Sequence, residues 1–455
     1  MELYATPQPL SFYLNQEFSC TCGRTHKAAL QQVHIGSRAL EELPRFVKTS
    51  GFRRLFLVSD PITYQAAGKQ CEALLSQAKI SYQMAQLQHL GFDEATLGEL
   101  LIKMPADCDL CVAVGSGTVN DITRFLSYKT GRPFMTVATA PSMDGYASSV
   151  AALHANHLKV TLDAHTPLAI IGDTEILRNA PYGMIAAGLG DLLGKFTCLC
   201  DWKISQIVNG EHQCDQIVAL MESNVEHVLQ NAHKAKDRDP EVIGSIMNGL
   251  VLAGVAMSLY GNSRPASGCE HHTSHFWEML FEQRGMTPAL HGTQVGVGTV
   301  LMLKLAEKLL TTPLDFAAAR RAAAAYDANA WKQQIRSVYG PAAEGIIAIE
   351  ASAQKNAIPG RLARIDAIEK NWPQICSHLK ALPASETVAE LLRSLSSPAL
   401  PQEIGVDAAL MKHTFLYCKE VRNRYTMLQM LWDLNLLDKL SDEIIQEIYE
   451  GENIT

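Results

Sequence analysis

Basic charge is scarce relative to acid in this sequence: 39 Lys and Arg against 47 Asp and Glu leave a formal net charge of −8. That balance argues against nucleic-acid or anionic-membrane partners, because both need a basic surface. It still leaves room for a small anionic substrate in a locally basic pocket. No secretory leader is visible, since Met1-Glu-Leu-Tyr-Ala-Thr-Pro7 lacks a basic stretch followed by an apolar one. Nor is there an apolar run fit to span a bilayer. The longest, Met247–Tyr260, is interrupted by Asn248 and glycines and reads as a buried helix. Eleven cysteines, an odd number in a long chain without a leader, point to reduced thiols and a cytoplasmic setting. Internal repeats and low-complexity linkers are also missing. What remains, 455 residues that are 47% hydrophobic, is ordinary globular sequence with room for two or three domains.

Four short apolar runs, each punctuated by Gly, Pro or Asp, mark parallel strands covered on both faces: Arg54–Asp60, Leu110–Gly115, Phe134–Ala138 and Leu168–Gly172. Helical patterns at Pro61–Gln77, Asp93–Lys103 and Thr118–Lys129 lie between the first three, which predicts an open α/β sheet. From about Asn179 the patterns are long, helical and punctuated by proline, with Ala- and Leu-rich stretches such as Ala317–Ala325 and Met427–Leu440. The expected organisation is an α/β nucleotide-binding domain over 1–179, built on an open parallel sheet, and an all-α metal- and substrate-binding domain over 180–455.

Gly115-Ser-Gly-Thr-Val-Asn-Asp121 follows the second of these strands and opens a helix at Thr118. Small residues there let backbone N–H groups approach a pyrophosphate, and the helix N-terminus adds partial positive charge. The turn is not a full GxGxxG, and by itself an ordinary strand–helix connection explains it equally well. A second polar turn, Thr139–Gly145, follows the next strand, and two such turns at neighbouring strand ends are where open α/β sheets bind ligands. Asp60 ends the first strand. It can accept hydrogen bonds from an adenosine ribose and repel a 2′-phosphate, or it can cap the helix opening at Pro61, and the two roles are compatible.

Further along, Asp191 lies in Gly188–Lys195, His271 in Ser267–His272 and His291 in Ala289–Gly292. One carboxylate and two imidazoles form a borderline-metal set that leaves coordination positions open, as a catalytic divalent site requires. Singly, each is explained by a helix cap or a satisfied polar residue. Together, within an apolar helical region, they are costly unless paired or ligating. His271 and His275 are four apart and share a helix face, whereas His272 points elsewhere. A nucleotide cradle followed by an open metal site suggests hydride transfer to or from a coordinated alcohol. Near the N-terminus, Cys20, Cys22 and His26 could bind a metal, but no second pair supplies the remaining ligands, which argues against a site. Cys108 and Cys111 flank a strand, where an i,i+3 pair faces opposite sides, and read as strand core. No Lys/Arg cluster stands beside the chemistry-bearing motifs.

Taken together, Gly115–Asp121, Thr139–Gly145, Gly188–Gly194, Ser263–His271 with Ser274-His275, and Leu290–Gly298 resemble the sn-glycerol-1-phosphate dehydrogenase family. That family belongs with glycerol dehydrogenase, iron-containing alcohol dehydrogenases and 3-dehydroquinate synthase. The resemblance runs through almost the whole chain, and Val421–Leu428 fits the longer bacterial branch. It implies a dehydroquinate synthase-like fold and NAD, with NADP possible, contacted by Gly117, Thr118, Val119, Asn120, Asp121, Thr139, Ser142 and Ser148. It implies one divalent ion, zinc, nickel or iron, on Asp191, His271 and His291. Asp144, Asp191 and His275 would touch substrate, with His275 or Asp144 relaying a proton. The implied reaction is the reversible reduction of dihydroxyacetone phosphate to sn-glycerol 1-phosphate at C2, in a homo-oligomer of two or more chains. Ser116 departs from a pattern that often has a third glycine, and Phe281–Gly285 reads as a loop extension between His271 and His291. Arg264, seven residues before His271, is the candidate for the substrate phosphate. Two other readings stand beside this one: a dehydrogenase of an unphosphorylated polyol such as glycerol, and an inactive sensor of nucleotide or sugar phosphate.

Overall fold

Strand-forming runs of Val, Ile, Leu and Phe need cover on both faces, and the amphipathic helices between them provide it. The computed structural model describes residues 8–87, 93–155 and 158–450. Within it the chain forms two compact units. One takes in the chain through Ala155, Lys159–Leu192 and Cys214–Ala266; the other takes in Leu193–Gln213 and the chain from Ser267 onward.

The first unit opens with an antiparallel hairpin of β1 (Gln16–Ser19) and β2 (Thr25–Ala28). Its main sheet is built from β3 (Gln32–Gly36), β4 (Arg54–Ser59), β5 (Ser81–Gln86), β6 (Leu110–Gly115), β7 (Phe134–Ala138) and, after the β8 (Val150–Ala155) and β9 (Leu158–Asp163) pair, β10 (Ala169–Asp173). The order is β3-β10-β7-β6-β4-β5, with every pairing parallel. The four apolar runs are the four inner strands. The edges, β3 and β5, carry polar residues at every second or third position and are only partly buried, so apolar runs do not reveal them. Side chains alternate between faces: Leu55, Leu57 and Val112 pack with Leu43, Phe46 and Leu75 on one side. Phe56, Val58 and Ala113 pack with Val119, Ile122 and Phe125 on the other.

The expected helices appear at Lys69–Gln77, Glu94–Lys103 and Gly117–Lys129. The first begins with a single turn at Pro61–Thr63 and widens to a π-turn at Tyr64–Gly68 before becoming regular. Cys108 precedes β6 rather than lying in it, so the opposite-faces argument does not hold for it. Its thiol donates to Leu110 O at 3.5 Å, and both cysteines are buried. The apolar run at 247–260 is part of a 21-residue helix, Pro240–Tyr260. By length and composition it could cross a membrane, yet 78% of its apolar window is buried inside the protein. The sheet reverses its winding between β4 and β6, so the carboxyl ends of these neighbours bring Asp60 and the Gly115-Ser116 turn to the point where open α/β sheets hold ligands.

The second unit is helical. Helices Lys195–Asn209, Cys269–Gln283, His291–Thr311, Ile358–Lys380 and Leu437–Tyr449 surround a core that includes Ile204, Trp277, Leu301, Ile368 and Ile444. Cys269–Gln283 is buried on almost every side, from Cys269 to Phe281. Its Glu270, His271, His272, Ser274, His275 and Glu278 therefore sit where polar groups are expensive to bury without partners.

Candidate active site

β6 runs directly into the glycine turn. Ser116 is the N-cap of Gly117–Lys129 but makes no side-chain cap, so its hydroxyl does not occupy the helix's first N–H groups. A Cβ at Gly117 would meet nothing nearer than Met143 Cγ at 3.7 Å. The chain's own packing does not require a glycine there, whereas close approach of a ligand to the backbone does. Val119 is committed to the core, and Asn120 is buried between Thr136 Oγ1, which donates to its Oδ1 at 2.8 Å, and Asp121, which accepts from its Nδ2 at 2.9 Å. Thr139 N–H donates to Gly115 O at 3.1 Å and so joins the two turns. Ser142 is buried. Ser148 is engaged within its own turn, accepting from Val150 N–H at 3.0 Å.

Arg124 has no part in the expected set, yet it organises this region. It pairs with Asp121 at 3.0 Å and donates to the carbonyls of Gly145 (2.6 Å), Tyr146 (2.9 Å) and Val150 (2.7 Å). The only trace in the sequence is an arginine three residues after an aspartate, which ordinarily reads as a solvated helix pair. Beside these turns lies a cavity of about 870 Å³ whose walls include Asp60, Thr63, Ser116, Thr139, Asp173 and Met184. Asp60 does more than line it. Its Oδ1 accepts from the N–H groups of Ile62 (2.7 Å) and Thr63 (2.8 Å), and Thr63 Oγ1 accepts from Asp60 N–H, so the cap is present as well.

Asp191 lies near the end of the helix Tyr182–Leu193 and is fully buried. Its Oδ2 accepts from Asp144 N–H at 2.9 Å, which brings two of the expected residues together. Gly188 makes this approach possible: a Cβ there would fall 1.9 Å from Pro141 O. The first glycine of Gly-Leu-Gly-Asp therefore serves helix-to-turn packing. Arg264 follows the helix Pro240–Tyr260. It is 1% exposed, and its N–H donates to Asn262 Oδ1 at 2.8 Å.

In the second unit, His271, His275 and His291 converge, with ring centroids 6.2, 5.3 and 5.4 Å apart for the pairs 271–275, 271–291 and 275–291. His271 Nδ1 donates to Glu270 Oε1 at 2.8 Å. Burial opposes ionisation of Glu270. The hydrogen bonds from His271 Nδ1, Thr197 Oγ1 at 2.6 Å and Gly268 N–H at 2.7 Å still hold its carboxyl below the usual range. His291 Nδ1 lies 3.2 Å from Glu278 Oε1 and 3.1 Å from Ser274 Oγ. Each ring thus has Nδ1 committed to a buried carboxylate, the arrangement that orients Nε2 toward a metal and raises its basicity. The donor set suits a borderline divalent ion. His275 is held differently, with Nδ1 on Glu278 Oε2 at 3.1 Å and Nε2 accepting from Arg422 Nη2 at 3.2 Å. Those partners describe a neutral imidazole with its proton on Nδ1.

The segment Val421–Leu428 matches the resemblance in sequence, but its place beside the histidines shows only in the fold. Arg422 and Arg424 come from the far end of the chain, and Arg424 donates to Ser267 O at 3.0 Å. The expectation of no basic cluster beside the histidine motif is corrected by these two and Lys355. Burial, and then the charges of Arg422, Arg424 and Lys355, push the His272 pKa well below its usual value. A separation of about 150 residues hides this assembly from any local pattern.

The first unit thus has a cavity at the winding reversal of its parallel sheet, and the helical unit carries carboxylate-oriented histidines. Residues 34–181 match the family model described as iron-containing alcohol dehydrogenase. A glycerol dehydrogenase structure from Schizosaccharomyces pombe superposes with a TM-score of 0.60 at 13% identity, covering 94% of this chain and 93% of that one. At that identity it speaks for the fold alone. A Bacillus licheniformis protein named glycerol-1-phosphate dehydrogenase (NAD(P)+) is 31% identical over 428 residues, 93% of this chain and 94% of its own. A Pyrococcus furiosus protein of the same name is 32% identical over 280 residues, 60% of this chain and 78% of its own. The chain belongs to the glycerol-1-phosphate dehydrogenase family.

Proposed function

We propose that this protein reduces dihydroxyacetone phosphate to sn-glycerol 1-phosphate, with a nicotinamide dinucleotide as hydride donor and one divalent ion held by Asp191, His271 and His291. The observation that carries this reading is the pairing of His271 and His291, through Nδ1, with Glu270 and Glu278. A metal-ligating histidine usually has its other ring nitrogen held by a carboxylate, carbonyl or water, and in both of these rings that nitrogen is held by a buried carboxylate. The ion, when bound, supplies Lewis acidity toward the C2 carbonyl oxygen, and the reduced nicotinamide supplies hydride.

The chain's own residues do the rest. Gly115, Gly117 and Thr118 present backbone N–H groups to the pyrophosphate, Asp60 meets the ribose, and Thr139 walls the cavity. Asp144 and Asp191 orient the substrate hydroxyls. His275 holds its proton on Nδ1 against Glu278 and accepts from Arg422 at Nε2, so the proton that reaches the product oxygen comes from solvent, passing through His275 only once Nε2 has itself taken up a proton and released Arg422. Arg264 and Arg422 are the two candidates for the phosphate, and the presence of Arg424 and Lys355 near His272 favours an anionic substrate over an unphosphorylated polyol.

The test is metal reconstitution of stripped protein with zinc, nickel or iron, followed by reduction of dihydroxyacetone phosphate and dihydroxyacetone with NADH and NADPH. His271→Ala and His291→Ala should remain folded yet lose the ion and turnover. Full activity in metal-stripped variants would overturn the ligand set, and a wild-type preference for dihydroxyacetone would move the protein to the polyol reading.

A further inference from the structure

We propose that Cys20, Cys22, His26 and Cys214 form a second metal site, a closed structural zinc centre that fastens the N-terminal hairpin to the helical part of the first unit. Cys20 and Cys22 occupy the β1–β2 turn, which Gly23 N–H closes onto Cys20 O at 3.0 Å, and His26 follows in β2 opposite Phe18. In sequence this motif has three ligands and lacks a fourth. The fold brings the fourth from a position 188 residues beyond His26, where Cys214 is the N-cap of the helix Asp215–Leu229.

One donor atom from each of the four residues lies within 4.8 Å of the others. Cys20 Sγ is 3.5 Å from Cys214 Sγ, and Cys22 Sγ is 3.3 Å from His26 Nε2. A tetrahedron with zinc–sulfur bonds of about 2.3 Å and a zinc–nitrogen bond of about 2.0–2.1 Å has edges of roughly 3.5–3.8 Å. The side chains therefore already stand close to ligand spacing. All eleven cysteines are thiols rather than disulfides.

His26 supplies an independent mark of a ligand. Its Nδ1 lies 2.8 Å from Leu259 O. A carbonyl can only accept, so Nδ1 carries the proton and Nε2 presents its lone pair toward the sulfurs. His26 and Cys214 are fully buried while Cys20 and Cys22 are partly exposed, which gives the ion a route in. Three sulfurs and one imidazole leave no open position and select zinc as a structural ion, in contrast to the carboxylate-containing set of the catalytic centre. On binding, the three thiols release their protons to solvent and bind as thiolates. The centre then joins the hairpin, the start of one helix and, through His26, the last turn of Pro240–Tyr260.

The experiment compares metal content and cobalt spectra of the full chain. Wild type and His291→Ala should each retain a zinc that Cys22→Ser lacks. Cobalt substituted for zinc should give thiolate charge-transfer bands in the first two and none in the third. Cys22→Ser should also melt at a lower temperature. If that variant fails to fold, wild-type protein decides: alkylation of Cys20 and Cys22 should be slow with zinc bound and fast after chelation. Equal alkylation rates with and without zinc, absence of thiolate–cobalt bands in wild type, or recovery of a Cys20–Cys214 disulfide from unreduced protein would each overturn the proposal.

Discussion

Glu278→Gln is the perturbation that most directly interrogates the histidine cluster. One carboxylate serves two rings, with Oε2 on His275 Nδ1 at 3.1 Å and Oε1 on His291 Nδ1 at 3.2 Å. Glutamine has the same shape but can accept at only one end, because its other end is an N–H donor. One imidazole must then lose its partner or move its proton to Nε2, and for His291 that protonation would occupy the ligating nitrogen. Loss of such an outer partner typically weakens metal affinity about 10–100-fold, or about 1.4–2.8 kcal/mol. The assay is chelator competition for the metal on wild type and Glu278→Gln, with thermal melts to establish folding and rates of dihydroxyacetone phosphate reduction at saturating metal. The expected result is a weaker metal constant together with a lower kcat that added metal does not fully restore, since His275 is also disturbed. A folded variant with metal affinity within about twofold of wild type and an unchanged kcat would refute the reasoning.

Three further outcomes follow from geometry elsewhere. Wild type should use NADH in preference to NADPH, and Asp60→Ala should narrow that difference and, by deleting the cap on Ile62 and Thr63, cost about 1 kcal/mol of stability in denaturant titrations. Arg422→Ala and Arg264→Ala should separate the phosphate contact from structural arginine: loss of a charge-assisted contact worth about 1.5–3 kcal/mol should fall on dihydroxyacetone phosphate and spare dihydroxyacetone, while equal losses on both ketones mark a structural role. Glu420 is buried against Lys355 and Lys419. Burial disfavours its charge, but the two ammonium groups outweigh that and hold its carboxyl at about 2. Because the folded value lies below the unfolded value of about 4.3, its contribution of about 3 kcal/mol is present above that pH and is lost as pH falls toward 2. Urea titrations across this range should therefore show a shallower acid slope for Glu420→Gln, and a slope identical to wild type would count against the assignment.

The fold is legible where hydrophobicity is unambiguous and hidden where position decides. The inner strands announce themselves because both faces are covered, whereas Gln32–Gly36 and Ser81–Gln86 mix polar with apolar residues, as half-exposed edges do. The apolar run Met247–Tyr260 marks a buried helix but says nothing of where that helix starts or which core it joins. The candidate ligands stand out because buried histidines are costly; Glu270 adjoins His271 in sequence, whereas Glu278 reaches His291 from the preceding helix, thirteen residues away. Arg422, Arg424 and Cys214 do not stand out. Their roles arise from long-range closure, and no spacing rule connects residue 22 to residue 214 or residue 275 to residue 422.

Arg124 has a consequence for how ligand binding is driven. By holding three carbonyls of the segment 145–150 together with Asp121, it orders that segment when the protein folds rather than when a ligand arrives. Fixing a residue's backbone costs about 1–2 kcal/mol in conformational entropy, so association is spared several such increments. Binding here should have a small ordering entropy and a fast on-rate. A chain lacking the guanidinium would fold into the same sheet yet recognise its ligand by a slower, coupled ordering step.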